Sequence, residues 1–418
     1  MTMPEQKKAV VPRLRFPEFR DAGPWEVKRL GEVFCERSER GGNGLELLSV
    51  TISDGVVRAA ELERKNNANA DLSNYKKVCP GDIVYNSMRM WQGASGVSWW
   101  HGVVSPAYTV VTPKESQNAV FWAYCFKLEH SIAEFVRFSQ GVTSDTWNLK
   151  YPAFSAIEMA FPAEQAEQQK IADCLSSLDE LIELQAKQLE ALKAHKKGLM
   201  QQLFPREGET TPRLRFPEFR DAGPWEVKRL GEVVSIANGL SVVQNNEPPG
   251  IKVTRIETIS DGFVDITKVG YIKSLDDIES YKLQVGDILF SHINSLDHIG
   301  KCAFVDQPFD LYHGMNLLRF QVHKRDSVPK FIYYVVCSEP FRSSIRSRAN
   351  QAVNQASINQ TEVGRSRIAL PPFLEQQKIA DCLSSLDEVI ELQAKQLEAL
   401  QTHKKGLMQQ LFPQEIDL

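Results

Sequence analysis

The sequence predicts a mixed α/β protein in which two globular domains are joined by two long antiparallel helices that form a coiled coil. A helical segment, residues 167–205, returns at 375–413 with only three differences. A second segment, the arm, covers residues 12–33 and recurs unchanged at 212–233, whereas the inserts between arm and helix diverge. A repeat of this fidelity predicts two equivalent units related by a pseudo-two-fold axis.

The repeated helix carries an apolar seam. Its apolar residues keep the a/d spacing of a heptad repeat over more than four heptads, which predicts that the two copies bury their stripes together. Gln185 and Lys196 fall on the same seam, where polar groups can fix the register of a coiled coil. The alternative is a pair of unrelated amphipathic surface helices. The seam residues are Ile171, Leu175, Leu178, Ile182, Leu189, Leu192, Leu199 and Leu203, and in the second copy Ile379, Leu383, Leu386, Ile390, Leu397, Leu400, Leu407 and Leu411.

The order of the segments predicts how the helices run. Only residues 206–211 separate the first helix from the second arm, so the second arm begins beside the end of the first helix. Under the pseudo-two-fold axis the first arm begins beside the end of the second helix, which makes the helices antiparallel. The predicted boundaries are 1–33 for the N-terminal arm, 34–166 for the first insert, 167–205 for the first helix, 206–233 for the linker and second arm, 234–374 for the second insert, and 375–418 for the second helix and C-terminus.

The two inserts are predicted to share a mixed α/β fold. Residues 51–57 and 258–264 each predict an apolar strand with an Asp-Gly turn, and 81–85 and 286–290 each predict a short strand after a turn glycine. One helical stretch follows in each insert, near 119–138 and near 329–348, before a polar loop and a last strand that leads into the long helix.

Composition and charge place the chain among ordinary soluble proteins. Apolar residues make up 42% and charged residues 24% of the chain, and no membrane span or signal peptide is predicted. Seven cysteines without a CxxC pair indicate a reduced, cytoplasmic protein without a zinc site. The net charge of −4 does not indicate general nucleic-acid binding, so any phosphate contact must come from local patches or from a partner.

The motifs of the sequence predict no active site. Leu370-Pro-Pro-Phe373 is like the Asn/Asp-Pro-Pro-Tyr/Phe loop of adenine methyltransferases, but Leu370 cannot accept a hydrogen bond from the target amino group. Gly300-Lys301 lacks the other residues of a phosphate-binding loop, and the histidines have no metal-ligand spacing. We therefore expect no metal ion or cofactor in this chain.

Polar loops are the candidates for contact with DNA bases, because Asn and Gln can bond to adenine and Arg to guanine or phosphate. The alternative is that these loops are solvated turns. The candidates in the first insert are Ser87, Arg89, Trp91, Gln92, Gln140, Thr143, Ser144 and Asn148; those in the second are His292, Asn294, His298, Arg346, Arg348, Gln351, Asn354, Gln355 and Asn359.

Together, the EQQKIADCLSSLDE…HKKGLMQQLFP helix, the LRFPEFRDAGPWEVKRLGEV arm and the dissimilar inserts resemble the specificity subunit of type I restriction–modification enzymes. The resemblance covers essentially the whole chain. It implies that 34–166 and 234–374 are target-recognition domains, each reading one half of a bipartite, asymmetric site in double-stranded DNA.

The same resemblance implies partners. The coiled coil would set the spacing of the domains and dock two modification (methyltransferase) subunits, and restriction (translocase/nuclease) subunits would join them. S-adenosylmethionine, ATP and Mg would be bound only by those partner subunits, and this chain would be non-catalytic. DNA-contact residues are not fixed by a motif in this family, so the loop candidates remain physical inferences.

Two other classes of function compete with this interpretation. A coiled-coil protein-interaction scaffold would show no sequence-selective DNA binding even with modification subunits present. A self-contained DNA-modifying enzyme would bind its cofactor as a single chain.

Overall fold

The computed structural model describes residues 10–41, 44–62, 72–273, 277–352 and 355–413. The chain forms two compact units, Met1–Ala186 with Gln396–Leu418, and Lys187–Lys395. Both divisions fall inside the long helices, so each unit contains one insert and a part of each helix.

The described residues of unit 1 form ten strands and the first five α-helices in chain order. Between them lie short 3-10 turns at Pro17–Phe19, Ala59–Glu61 and Met90–Gln92. The elements are β1 (Glu26–Arg29), α1 (Leu30–Val33), β2 (Phe34–Glu36), β3 (Glu46–Thr51), β4 (Gly55–Arg58), β5 (Lys76–Val78), β6 (Ile83–Asn86), β7 (Ser95–Val97), β8 (Gly102–Val104), β9 (Tyr108–Pro113), α2 (Ala119–Cys125), α3 (Glu129–Phe138), α4 (Tyr151–Ser155), β10 (Glu158–Phe161) and α5 (Gln165–Leu203), the last continuing into unit 2.

Unit 2 repeats this order with a different insert. Its 3-10 turns are Pro217–Phe219, Glu257–Ile259 and Ile278–Tyr281. The elements are β11 (Glu226–Arg229), α6 (Leu230–Val233), β12 (Val234–Asn238), β13 (Ile251–Val253), β14 (Gly270–Ile272), β15 (Ile288–Ser291), β16 (Ile293–Asn294), β17 (Cys302–Phe304), β18 (Leu317–Val322), α7 (Pro329–Cys337), α8 (Glu339–Arg348), β19 (Asn350–Ala352), β20 (Gln355–Ser357), α9 (Gln360–Gly364), β21 (Arg367–Leu370) and α10 (Phe373–Leu411), the last continuing into unit 1.

Each insert is built on an equivalent four-stranded antiparallel sheet. The strand order is β2-β9-β6-β7 in unit 1 and β12-β18-β15-β17 in unit 2. Unit 1 adds the sheet β4-β3-β8-β5, in which β3 and β8 are parallel, whereas unit 2 adds β13-β14 and β16-β20-β19. The main core of each unit joins the first sheet, the insert helices and the long helices in one cluster rich in aromatic residues.

Both ends of each insert meet at the base of a long helix. Strand β1 of the first arm pairs antiparallel with β10, which leads into α5, and β11 pairs with β21 ahead of α10 in the same way. The arms therefore close each insert against the helix that follows it.

The long helices confirm the predicted antiparallel coiled coil within each unit. In unit 1 the Leu14 N–H donates to the Gln410 carbonyl oxygen at 2.9 Å while the neighbouring Arg15 binds Glu167, so the start of α5 faces the end of α10. In unit 2, Leu214 donates to Gln202 at 2.9 Å and Arg215 binds Glu375, the mirror of this arrangement. As predicted, the first arm begins beside the end of α10 and the second arm begins beside the end of α5.

Burial along the two helices follows the heptad pattern. Every one of the sixteen seam residues is buried or half-buried. Off the seam, Leu181, Leu184, Val389 and Leu392 are exposed by 39%, 52%, 48% and 59%. Each helix has 39 residues and begins and ends two residues before the predicted bounds.

Two local predictions for the inserts are wrong. Residues 258–264 form no strand; a 3-10 turn covers Glu257–Ile259, and the Thr258 hydroxyl accepts from the Arg255 N–H at 2.9 Å and donates to the Lys268 carbonyl at 2.5 Å. Each predicted insert helix is two helices, α2 with α3 and α7 with α8. In unit 2, Pro340 lies in the first turn of α8, where its ring and missing N–H prevent one continuous helix.

Candidate nucleic-acid interface

The two candidate segments of the first insert lie together. The Leu149 N–H donates to the Ser87 carbonyl oxygen at 2.8 Å, and the Trp91 and Trp147 rings pack edge to face with centroids 5.3 Å apart. The loop between α3 and α4 is closed by two main-chain hydrogen bonds between Gln140 and Asn148, of 3.1 and 2.9 Å. Residues 87–92 and 139–148 therefore form one composite surface, called here surface A.

Most polar candidates on surface A face solvent. Arg89, Gln92, Gln140, Thr143 and Ser144 are exposed, and they provide hydrogen-bonding groups of several kinds.

Three candidates of this insert are buried or half-buried. Ser87 is buried, with its hydroxyl 2.8 Å from that of Thr109. The Trp91 indole N–H donates to the Met88 carbonyl at 3.0 Å. Asn148 is half-buried, and its side-chain oxygen has no partner among the described residues.

Surface A also contains exposed apolar side chains, which the polar character of its segments did not predict. Val142 is 97% exposed and Met88 is 46% exposed. A search for hydrogen-bonding side chains could not find them, although apolar groups also read DNA by contacting the thymine methyl.

The second insert joins its candidate segments through a small sheet. Ile293 of β16 pairs with Ser357 of β20, and β20 pairs in turn with β19. The Ile358 N–H also donates to the His292 carbonyl at 2.9 Å. Within the segment predicted as a polar loop at 350–360, residues 350–352 and 355–357 are therefore paired strands. Together with 358–360 and 291–298 they form surface B.

Exposed side chains on surface B are mainly amides. Gln351 and Gln355 are exposed on β19 and β20, and His298 is exposed with Nδ1 2.8 Å from the Ser295 hydroxyl. Asn359 caps α9, because its side-chain oxygen accepts from the Glu362 N–H at 2.8 Å. Asn354 lies outside the described residues.

Two further candidates of this segment point into the protein. Burial of His292 lowers its pKa to about 4, and its Nδ1 has no partner among the described residues, so the ring is neutral at ordinary pH. The Asn294 side chain donates to the Ser291 hydroxyl at 3.2 Å.

The two candidate arginines of the second insert are held by protein groups. Arg348 donates to the carbonyl oxygens of Ser344 and Glu362 at 3.1 and 3.0 Å and to the Ser366 hydroxyl at 2.7 Å. Arg346 forms an ion pair with Glu339 in the same helix. Arg348 therefore stabilises contacts within the protein, a role that its position in the sequence did not indicate.

Both surfaces occupy equivalent places in the repeat. Residues 87–92 follow β6, and residues 291–298 begin at the last residue of the equivalent strand β15. The second segments, 139–148 and 350–360, follow the equivalent helices α3 and α8. The fold thus presents a composite surface at the same position of each unit, with different side chains.

A family model matches the sequence of this chain twice. The type I restriction modification DNA specificity domain matches residues 23–194 and 223–402, which together make up most of the chain. The chain belongs to this family. The resemblance inferred from the arms and helices is confirmed, and the two matches coincide with the internal repeat.

Relatives within the type I specificity family include two proteins of Methanocaldococcus jannaschii. A putative type I restriction enzyme MjaX specificity subunit is 45% identical over 192 residues, 45% of this chain and 45% of that protein, so the alignment spans less than half of the relative. The type I restriction enzyme MjaVIII specificity subunit is 26% identical over 420 residues, 96% of this chain and 94% of that protein.

Solved structures support the fold of this type I specificity chain. The S subunit of a type I restriction–modification system from M. genitalium has a TM-score of 0.60 at 15% identity, covering 97% of this chain and 100% of that chain. A chain from a structure of the assembly and conformational transition of the type I system has a TM-score of 0.55 at 16% identity, covering 93% and 98%.

These findings favour a DNA-specificity function over the scaffold alternative. They also confirm the predicted fold class, two mixed α/β domains joined by an antiparallel coiled coil. Within the described part of the type I specificity chain, no helix has the length and apolar character needed to cross a membrane. The same residues contain no group of three or more His, Cys, Asp or Glu side chains placed to hold a metal ion.

Proposed function

We propose that this chain reads a bipartite, asymmetric DNA site, with the first insert at one half and the second insert at the other. The observation that carries the proposal is the equivalence of surfaces A and B, each made of two segments that follow the same elements of the fold. Equivalent positions with unlike side chains are what a protein needs to read two different sequences with one architecture.

The side chains of the two surfaces support different readout. On surface B the exposed amides of Gln351 and Gln355 have the chemistry to bond the N6 and N7 edge of adenine. On surface A, Arg89 could bond guanine or a phosphate, and the exposed Val142 suits a thymine methyl. We therefore propose that the first insert combines apolar and polar contacts and the second relies on amides.

Partner subunits complete the proposed complex. The net charge of −4 supplies little attraction for phosphates, which is consistent with partners that provide part of the backbone contact. We propose two modification subunits and further restriction subunits, with S-adenosylmethionine, ATP and Mg bound there and no catalysis in this chain. The seven free cysteines support a reducing, cytoplasmic setting.

The proposed docking surface for the modification subunits is the outer face of the coiled coil. Leu184 and Leu392 occupy the same position of the repeated segment and are 52% and 59% exposed. An apolar side chain displayed identically in both copies suits two copies of one partner.

The test is methylation mapping with the complex of this chain and its modification subunits. The wild-type complex should methylate one bipartite sequence, and Gln355→Ala should weaken selection by about 1–3 kcal/mol at one base pair of one half-site. Gln377→Ala is the matched control, because Gln377 is an exposed glutamine of α10 bound to Asp381 at 2.8 Å. Methylation without sequence preference, or equal loss in both variants, would contradict the proposal.

A second measurement addresses catalysis. Calorimetry with S-adenosylmethionine should detect no binding to the purified chain and stoichiometric binding once modification subunits are added. Binding to the single chain would favour the self-contained enzyme.

A further inference from the structure

A tyrosine of the first insert connects its domain to both long helices. The Tyr124 hydroxyl on α2 donates to Asp179 Oδ2 of α5 at 2.6 Å. Lys404 of α10 bonds the other oxygen of the same carboxylate, and its ammonium lies 5.1 Å from the centre of the Tyr124 ring. One carboxylate thus joins three elements of unit 1.

The second insert has the same arrangement with other segments of the chain. The Tyr334 hydroxyl on α7 donates to Asp387 Oδ2 of α10 at 2.7 Å, and Lys196 of α5 bonds Oδ1. The Lys196 ammonium lies 5.2 Å from the Tyr334 ring centre. We call each Tyr–Asp–Lys group a tyrosine clamp.

The origin of its residues sets the clamp apart. Asp179, Lys196, Asp387 and Lys404 belong to the repeated helices, but the tyrosines come from the inserts, where sequence identity has been lost. The tyrosine nevertheless stands at the corresponding place in both insert helices. The tyrosine is present in two otherwise unlike inserts, on the side that contacts the repeated helices. It therefore serves a function that both inserts share.

Contribution to stability is a weak explanation for the clamp. Both lysines are 21% exposed in their side chains, and their aspartate partners are 44% and 35% exposed. Ion pairs that retain this much contact with water contribute little to folding, because solvent screens the charges. Polar groups on a coiled-coil seam are better known for fixing register than for adding stability.

We infer that the two tyrosine clamps fix the orientation of each recognition domain on the coiled coil and thereby determine which spacer length between the half-sites is accepted. The inference rests on the proposed bipartite readout. Each added base pair moves a half-site by about 3.4 Å and turns it by about 35° around the DNA. A domain held by direct hydrogen bonds through one rigid aromatic side chain cannot follow such a turn without breaking the clamp.

The experiment measures methylation by the complex on DNA with the cognate spacer and with spacers one base pair shorter and longer. Tyr124→Phe/Tyr334→Phe keeps both rings and removes only the hydroxyls. We expect its preference for the cognate spacer over the altered ones to fall by about three- to tenfold, with the half-site sequences unchanged.

Matched controls separate orientation from folding. Tyr151→Phe/Tyr333→Phe removes hydroxyls that donate to carbonyl oxygens within the inserts, those of Phe34 at 3.0 Å and Gly262 at 3.3 Å. These controls should keep the spacer preference of the wild type. Lys196→Arg/Lys404→Arg retains the positive charge and should relax the preference less than Lys196→Ala/Lys404→Ala.

Three outcomes are distinguishable. A wild-type complex without any spacer preference would refute the proposed bipartite function itself. If the wild type prefers the cognate spacer and Tyr124→Phe/Tyr334→Phe keeps the same preference, the clamp inference alone is overturned. A uniform loss of methylation on every spacer would also overturn it, since that result indicates a merely structural tyrosine.

Discussion

Removing Arg15 should destabilise unit 1 by more than an ordinary surface substitution. Arg15 binds Glu167 through Nε and Nη2 at 2.7 and 2.6 Å, and the two side chains are 9% and 1% exposed. Without the guanidinium, the Trp25 indole N–H at 3.3 Å is the one donor that the described residues leave to the buried Glu167 carboxylate. An unpaired buried charge costs about 3–5 kcal/mol, so Arg15→Met should lower the free energy of unfolding by that amount.

The assay is urea unfolding followed by far-ultraviolet circular dichroism. Arg15→Met/Glu167→Leu removes both charges and should recover most of the loss, because apolar replacement of a buried ion pair is often close to neutral. Arg13→Met, at an exposed arginine of the same arm, should change stability by less than about 0.5 kcal/mol. A loss below about 1 kcal/mol for Arg15→Met, or a double variant weaker than the single one, would refute the reasoning.

Two more predictions concern specificity and pH. Replacing residues 34–166 by the first insert of another family member should change one half of the methylated sequence; a change in both halves would show that the inserts do not read independently. Burial lowers the pKa of His292 and of His313 to about 4, below the value of about 6.5 in the unfolded chain. Because the unfolded state binds protons first, the stabilisation is complete above pH 6.5 and decreases toward pH 4, by at most about 3 kcal/mol for each histidine. His292→Asn/His313→Gln should flatten this dependence in urea unfolding measured at several pH values, and an unchanged slope would contradict the assignment.

The repeated frame could be predicted from sequence because each of its signals is local or is present twice. The heptad spacing identifies the seam, and the short linker at 206–211 determines where the arms begin. The hydrogen bonds from Leu14 and Leu214 to the helix ends agree with that argument. Identical arm sequences also form identical strands, Glu26–Arg29 and Glu226–Arg229.

The inserts show where local sequence ceases to determine structure. The pentapeptide Thr-Ile-Ser-Asp-Gly occurs at 51–55 and at 258–262. In the first insert it makes the turn of a hairpin in which Val50 pairs with Val56; in the second it forms a 3-10 turn held by Thr258. Tertiary partners decide between these conformations, and they are not visible in five residues.

The orientation of the candidate side chains could not be predicted for the same reason. The polar segments are recognisable in the sequence, but side chains that face solvent cannot be distinguished there from those that fold back onto the protein. Ser87 and His292 are buried, and Arg348 donates hydrogen bonds to neighbouring protein groups. Tyr124 and Tyr334 carry no signal in the sequence, because their common position is visible only in the folded insert helices.

Each long helix also holds its insert through a glutamine that bonds to main-chain atoms. These bonds do not depend on which side chains the insert carries. Gln168 accepts from the main-chain N–H of Asn118 at 2.9 Å, and Gln376 accepts from that of Val328 at 3.0 Å. Their amide groups donate at 3.0 Å to the carbonyl oxygens of Pro162 and Pro371. Every residue except proline offers the same main-chain donor. Mutational drift can therefore rewrite most of an insert without loosening its attachment, and a new DNA specificity can arise without any accompanying change in the scaffold.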